Sequence, residues 1–242
     1  MADTGRIDYE VSDGVARITI TNIARANSLT YPMIQQLAEC WGRAADDDGV
    51  RLAVLTGAGQ RHFCAGADLT MVRASDTPYE PGAEHNQTSL SLGFPKPVIA
   101  LVNGPAIGLG MQLALDCDLV LAVRTAFFRE PRVAFGRPPV SVLQVTTELG
   151  FSEVVRLGVA GLPMPAERAF GLGIVSELVD DPSSLADAAD RYVDAILALP
   201  ADAALGSIAL LRTARRRPGV TEAMARAAEQ IENHFTRAPS QA

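Results

Sequence analysis

The run Asn103-Gly104-Pro105-Ala106-Ile107-Gly108-Leu109-Gly110-Met111-Gln112 has the make-up of a main-chain binding site. It follows the apolar run Pro97 to Val102 and precedes the helix-like run Leu113 to Cys117. Glycines at such a junction let the backbone turn tightly and let a ligand approach main-chain N–H groups. A second element of this kind lies upstream, Phe63-Cys64-Ala65-Gly66-Ala67-Asp68-Leu69. Two strand-to-helix turns of this type can aim two backbone N–H donors at one oxygen, the anatomy of an oxyanion hole.

The elements that must hold these turns read as alternating strands and helices. Val15 to Thr21 alternates Ala16, Ile18 and Ile20 on one face, as a strand does. A helix is expected from Thr30, with Pro32 in its first turn, an apolar face of Ile34, Leu37, Ala38, Trp41 and Ala45, and a break at Gly49. Arg51 to Thr56, Val98 to Val102 and Leu119 to Val123 are continuous apolar strands, the pattern of a parallel sheet covered on both faces. A strand, Gly turn, helix unit occurs at 51–72 and again at 97–117, and repeated units can stack as a spiral. The polar stretch 74–87 reads as a surface loop over the first turn. From Val140 the pattern becomes helical, with helices expected at 141–149, 152–159, 165–171, 183–198, 202–215 and 221–237. The expected organisation is an α/β core over 1–195 and a helical region over 196–242.

Composition bounds the partners. A formal net charge of −7 gives no bulk electrostatic reason to bind nucleic acid or an anionic membrane. Basic charge is nearly all arginine, and Lys96 is the only lysine. Cys40, Cys64 and Cys117 lie in apolar sequence and read as reduced core thiols. The polar N-terminus lacks a signal-peptide core, and no apolar run reaches the roughly 20 residues that span a bilayer, so a cytoplasmic location is expected. The Arg212, Arg215, Arg216, Arg217 cluster reads as a solvated helix end, with phosphate contact as the alternative.

The two Gly turns, in this order, resemble the crotonase (enoyl-CoA hydratase/isomerase) superfamily. Asn27-Ser28-Leu29-Thr30 after Arg25-Ala26 is similar to that family's early motif. Phe63 to Leu69 and Pro97 to Asp118 are similar to its two main signatures. The resemblance, over roughly residues 6–237, implies a spiral of ββα units with a helical C-terminal trimerisation region, as a trimer or a dimer of trimers. It implies an acyl-CoA thioester as ligand, with no cofactor beyond its coenzyme A moiety and no metal. It also implies that the thioester oxygen is held by the N–H groups of Ala67 and Leu109. By the same resemblance Ala65, Ala67, Asp68, Leu69, Thr70, Gly108 and Leu109 line the acyl-CoA site, and Arg25 and Ala26 lie near the pantetheine arm. Asp68 is expected to cap the helix that follows Ala67.

The chain departs from the family pattern where proton transfer is expected. The first hydratase glutamate position is Gln112. The second, in the Phe-x-x-Pro-Glu element, is Arg132. Hydration needs a base to activate water and an acid to protonate carbon. An amide does not titrate, and a guanidinium stays protonated. Little ordinary hydratase activity is therefore expected, leaving an isomerase, decarboxylase or hydrolase, or a non-catalytic acyl-CoA-binding protein. Glu130 is a candidate displaced base if its segment is extended, because residues two apart share a face; the alternative is an ion pair with an arginine, or solvent. Arg132 is a candidate clamp for a substrate carboxylate, against an ordinary salt bridge. His62 is expected at the surface and Glu148 on a helix face. The sequence does not place Glu84 and His85 relative to the site.

Overall fold

In the computed structural model, residues 5–68, 87–135, 139, 142 and 148–215 are described. The body is a six-stranded sheet in the order β1 (Arg6–Ser12), β2 (Val15–Thr21), β3 (Leu52–Gly57), β4 (Val98–Val102), β6 (Leu119–Val123), β9 (Glu177–Val179). Within this sheet only the β1–β2 pair is antiparallel; its other pairings are parallel. Every residue of β4 is buried. Because alternate side chains leave opposite faces of a strand, both faces of the sheet are covered there, as the apolar run required.

β1 was not anticipated. Its signal was Asp13-Gly14, both at positive φ (51° and 79°), which closes the β1–β2 hairpin. Asp-Gly with both residues left-handed is the pattern of the two-residue turn that matches strand twist. The segment after Val140 is also not purely helical, contrary to the sequence reading. β8 (Met164–Pro165) and β9 lie within it, and β9 completes the main sheet beside β6. Strands of two or three residues carry too little periodicity to be read locally; the pairing partner makes them.

Helix α1 (Tyr31–Asp46) begins after Thr30 and packs on β1 and β2. Its buried face is Met33, Ile34, Leu37, Cys40, Trp41 and Ala44, rotated slightly from the expected face, so that Ala38 and Ala45 are only half-buried. Trp41 packs against Phe94 with the ring planes tilted by 55° and the centroids 5.2 Å apart. The C-terminal carbonyls of α1 are held by Lys96, whose Nζ donates to Ala44 O (2.7 Å) and Asp47 O (2.6 Å). A cation at this end completes carbonyls that the helix leaves unpaired. Burial pushes the Lys96 pKa down.

Helices α2 (Leu109–Leu115), α3 (Phe151–Gly158), α4 (Ala166–Gly171), α5 (Ser184–Leu197) and α6 (Ala201–Arg215) follow. α5 packs on β4, β6 and β9. Pro200 breaks the chain between α5 and α6, which cross at 109°. No single helix among the described residues is long and apolar enough to cross a membrane. The expected helices at 152–159, 165–171, 183–198 and 202–215 are present within a residue or two at each end. Glu148 stands in a turn rather than on a helix face. The 74–87 loop except Gln87, most of the 141–149 segment and the 221–237 helix lie outside the described residues.

Arg212 is not part of a solvated helix end. Its guanidinium reaches from α6 to both carboxylate oxygens of Asp118 (2.8 and 2.6 Å) and to the carbonyls of Phe94 and Lys96. Asp118 also accepts Val98 N–H at 2.8 Å, so one ion pair fixes α6 to the start of β4. Arg216 and Arg217 lie outside the described residues.

Candidate active site

The first turn leaves β3 at Gly57 and runs through Phe63 to Asp68. The second leaves β4 at Val102 and enters α2 at Leu109. They are laced together edge to edge. Phe63 and Cys64 N–H both donate to Pro105 O (3.2 and 3.3 Å), and Ile107 N–H donates to Cys64 O (2.9 Å). Cys64 and Ala106 form a parallel bridge. Two glycines make the approach possible. A Cβ on Gly110 would lie 2.2 Å from Cys64 O, and one on Gly66, whose φ is +91°, would lie 2.7 Å from Ile107 O and 3.5 Å from Leu109 N. Any side chain at either position would force the turns apart.

Asn103 braces the second turn against the first, with Nδ2 donating to Gly57 O and Gly59 O at 2.8 Å each. Asn27 does the same for the early motif. Its Nδ2 donates to Ala58 O (2.9 Å) and His62 O (2.8 Å), and its Oδ1 accepts from Asn22 N–H (3.0 Å). Ala26 and Asn27 both adopt left-handed backbone, at φ 53° and 55°. That conformation is unfavourable for alanine and tolerated by asparagine, whose side chain can hydrogen-bond locally. The resulting loop lies along the first turn: Ala65 N–H donates to Ala26 O (3.0 Å), Leu29 N–H to Gly66 O (2.8 Å) and Asp68 N–H to Leu29 O (2.9 Å). The structural roles of Asn27 and Asn103 were not legible beforehand. Both appeared only as motif letters, and their partners are carbonyls far along the chain.

Arg25, Ala26, Ala65, Ala67 and Asp68 are thus one cluster, and Gly108, Leu109 and Gln112 another, joined through the Cys64–Ala106 bridge. Leu109 is buried and Ala67 half-buried, and both N–H groups stand on neighbouring turns without an acceptor among the described residues. Asp68 is buried and pairs with Arg25 at 2.8 Å. This ion pair holds the exposed Arg25 guanidinium over the turn. The helix that Asp68 was expected to cap, together with Leu69 and Thr70, lies outside the described residues, as do Glu84 and His85. Cys64 is fully buried beneath the turn, and burial pushes its thiol up to about 12.

Gln112 sits one helical turn beyond Gly108, its N–H donating to Gly108 O at 3.0 Å. It is 2% exposed and its Oε1 has no partner among the described residues. On the other side of Gly108 runs β7 (Phe127–Arg129), paired parallel with β5 (Ala106–Ile107). Gly108 N–H donates to Arg129 O (2.8 Å), and the ring of Pro131 would meet a Cβ on Gly108 at 3.6 Å. The strand ends at Arg129 and Arg132 opens a 3-10 turn, so the extended run through Glu130 and Arg132 on which the candidacy of Glu130 rested is absent. Glu130 itself meets no solvent and pairs with no arginine side chain among the described residues, contrary to the alternative weighed from sequence. It is fully buried. Its Oε1 accepts Arg132 N–H (3.0 Å), and its Oε2 is unpartnered. Arg132 begins a short 3-10 turn through Phe135 and is half-buried. His62 is half-buried. No three His, Cys, Asp or Glu side chains among the described residues converge as a metal site.

A family profile described as enoyl-CoA hydratase/isomerase matches residues 10–237. The chain belongs to this family. It is 35% identical over 200 residues to (E)-benzylidenesuccinyl-CoA hydratase of Thauera aromatica, covering 78% of this chain and 75% of that one. It is 36% identical over 190 residues to 1,2-epoxyphenylacetyl-CoA isomerase of Escherichia coli K12, covering 75% and 72%. The fold superposes on the crystal structure of an enoyl-CoA hydratase from Mycobacterium avium subsp. paratuberculosis K-10 with a TM-score of 0.83 at 28% identity, over 99% of this chain and 97% of that one. The chain has a crotonase-like α/β fold, and its family relationship supports an enzyme of the lyase/isomerase kind. Relatives of nearly equal similarity carry hydratase and isomerase names, so the reaction has to be argued from this chain's own residues.

Proposed function

We propose that the chain binds an acyl-CoA thioester, with the thioester oxygen between the N–H groups of Ala67 and Leu109, and transforms it by chemistry other than ordinary hydration. One observation carries this reading: two main-chain donors, without an acceptor among the described residues, on turns packed together through Gly66 and Gly110. A thioester oxygen gains negative charge when its acyl group becomes an enolate. Donors already in place stabilise that charge without reorganising, and losing one typically lowers the rate on the order of 10²–10³-fold. The pantetheine arm would run along Arg25, Ala26, Ala65 and Asp68. No cofactor beyond the coenzyme A moiety is required.

Gln112 and Arg132 argue against hydration, because neither group can take a proton from water at neutral pH. The same two residues favour a second reading, a non-catalytic acyl-CoA-binding protein. We further propose a cytoplasmic homo-oligomer, a trimer or dimer of trimers. Exposed Phe151, Val159, Leu162 and Phe170 support an oligomer by supplying apolar surface for subunit contact.

Crotonyl-CoA tests the reaction class. Loss of its enoyl absorbance at a rate comparable to an ordinary hydratase would overturn the argument from Gln112 and Arg132. Calorimetry with saturated acyl-CoAs tests the cradle, and heat of binding is expected. Absence of binding at every chain length would remove both readings.

A further inference from the structure

The strip from Gly57 to His62, which joins β3 to the first turn, gives four of its carbonyls to two asparagine side chains. Asn103 Nδ2 donates to Gly57 O and Gly59 O, both at 2.8 Å. Asn27 Nδ2 donates to Ala58 O at 2.9 Å and to His62 O at 2.8 Å. The partners interleave along the chain, 57 and 59 for one amide, 58 and 62 for the other. One amide comes from the second turn and the other from the early motif, so a single short loop sets the position of both. Gly104 closes the same contact, since a Cβ there would lie 2.2 Å from Arg61 O.

Both asparagines are buried, at 1% and 4% exposure. An amide suits these places because it supplies two donors from one uncharged nitrogen. An aspartate would set an anionic oxygen against two carbonyl oxygens instead. Asn103 Oδ1 is left buried with no partner among the described residues, so this side chain is held there for its two donors at the cost of an unpaired acceptor.

From each asparagine the path to a thioester donor is short. Beside Asn27, Ala26 and Leu29 bond to Ala65, Gly66 and Asp68, on either side of Ala67, and Leu29 forms a parallel bridge with Ala67 itself. After Asn103, Pro105 O accepts the Phe63 and Cys64 N–H groups, and Ile107 N–H donates to Cys64 O two residues before Leu109. The spacing of the Ala67 and Leu109 N–H groups is thus set from behind the site.

We propose that Asn27 and Asn103 are positioning residues for thioester recognition. By gripping one loop from two sides they fix the spacing of the Ala67 and Leu109 donors, and the preference of the site for a thioester carbonyl over a carbonyl-free thioether depends on them. This rests on the acyl-CoA reading above. Two hydrogen bonds converging on one oxygen are sensitive to geometry, because each weakens steeply once its angle falls below about 120°. Contacts with the pantetheine arm and the acyl chain are spread over many weak pairs and tolerate the same shift.

The test measures by calorimetry the affinity of the full chain for hexanoyl-CoA and for S-hexyl-CoA, the thioether that lacks the carbonyl. Wild type is expected to prefer the thioester on the order of tenfold, the scale of two net hydrogen bonds. Asn27→Ala and Asn103→Ala are each expected to reduce that preference to about twofold or less, while S-hexyl-CoA affinity stays within about threefold of wild type. Asn27→Ser and Asn103→Ser, which keep one donor, are expected to fall between, and they serve where the alanine variants fail to fold. A wild-type preference retained in the variants overturns the proposal. An equal loss of affinity for both ligands also overturns it, and makes the asparagines braces of the fold alone. A wild type that binds no acyl-CoA, or binds thioester and thioether alike, instead removes the acyl-CoA reading, and this inference with it.

Discussion

Gly110→Ala drives a wedge between the two turns. The added Cβ would stand 2.2 Å from Cys64 O, 2.7 Å from Cys64 Cβ and 2.9 Å from Cys64 C. Two of these atoms are backbone, so no side-chain rotation relieves the clash. Reaching ordinary van der Waals separation requires the turns to part by about 1 Å. Overpacking of this kind costs about 1–3 kcal/mol. For a chain of this size that corresponds to a melting temperature lower by roughly 2–12 °C. The functional effect should exceed the stability effect, because Leu109 N–H is adjacent to the wedge, and misplacing a catalytic geometry by ~1 Å can lower rates on the order of 10²-fold. The assay pairs scanning calorimetry with titration of hexanoyl-CoA. Gly42→Ala is the control: Gly42 is exposed in α1 with open space where its Cβ would go. Removing a mid-helix glycine there should raise stability by roughly 0.5–1 kcal/mol and leave affinity untouched. If Gly110→Ala melts and binds like wild type, the claim that these turns are held at their closest approach is wrong.

Three further expectations concern the frame around the site. Arg212→Ala leaves Asp118 largely buried without its guanidinium and frees α6 from β4, so stability should fall by about 3–5 kcal/mol, read by urea or thermal unfolding. Arg212→Lys should rescue little, since a point charge cannot reach the carboxylate and two carbonyls together. The Arg168 hydrogen bond, assisted by Arg156, holds the Glu153 carboxyl below its usual 4.5 despite burial. Its stabilisation is therefore fully present above pH 4.5 and is lost as pH falls through the depressed folded-state value. Melting temperature should drop over that acid window, and Glu153→Gln should shallow the drop. All three thiols are buried, and burial holds Cys64 and Cys40 above the usual range. Ellman's reagent at pH 8 should find almost no thiol in the native protein and three after denaturation.

The sequence exposed what depends on local pattern and hid what depends on distant partners. β2, β4 and β6 were readable end to end, because apolar runs and their breaks are local. The hairpin strand β1 is also written locally, in the Asp13-Gly14 turn. β9 was not readable: three half-buried residues become a strand only because β6 offers an open edge. Within the site, the two turns and their glycines were legible from spacing. The environment of Glu130 was not. The condition of an extended run through Glu130 and Arg132 fails, because a 3-10 turn opens at Arg132. The complete burial of Glu130, with one oxygen on the Arg132 N–H, comes from the way β7 packs beside Gly108. Arg212 shows the same limit: a run of arginines reads as solvated until Asp118 is brought under one of them.

A crystal structure of the protein with hexanoyl-CoA tests the central claim most directly. The account predicts the thioester oxygen about 2.7–3.1 Å from both Ala67 N and Leu109 N, with the pantetheine arm passing Arg25 and Ala26. A thioester oxygen bound elsewhere, or held by only one of these donors, would contradict it.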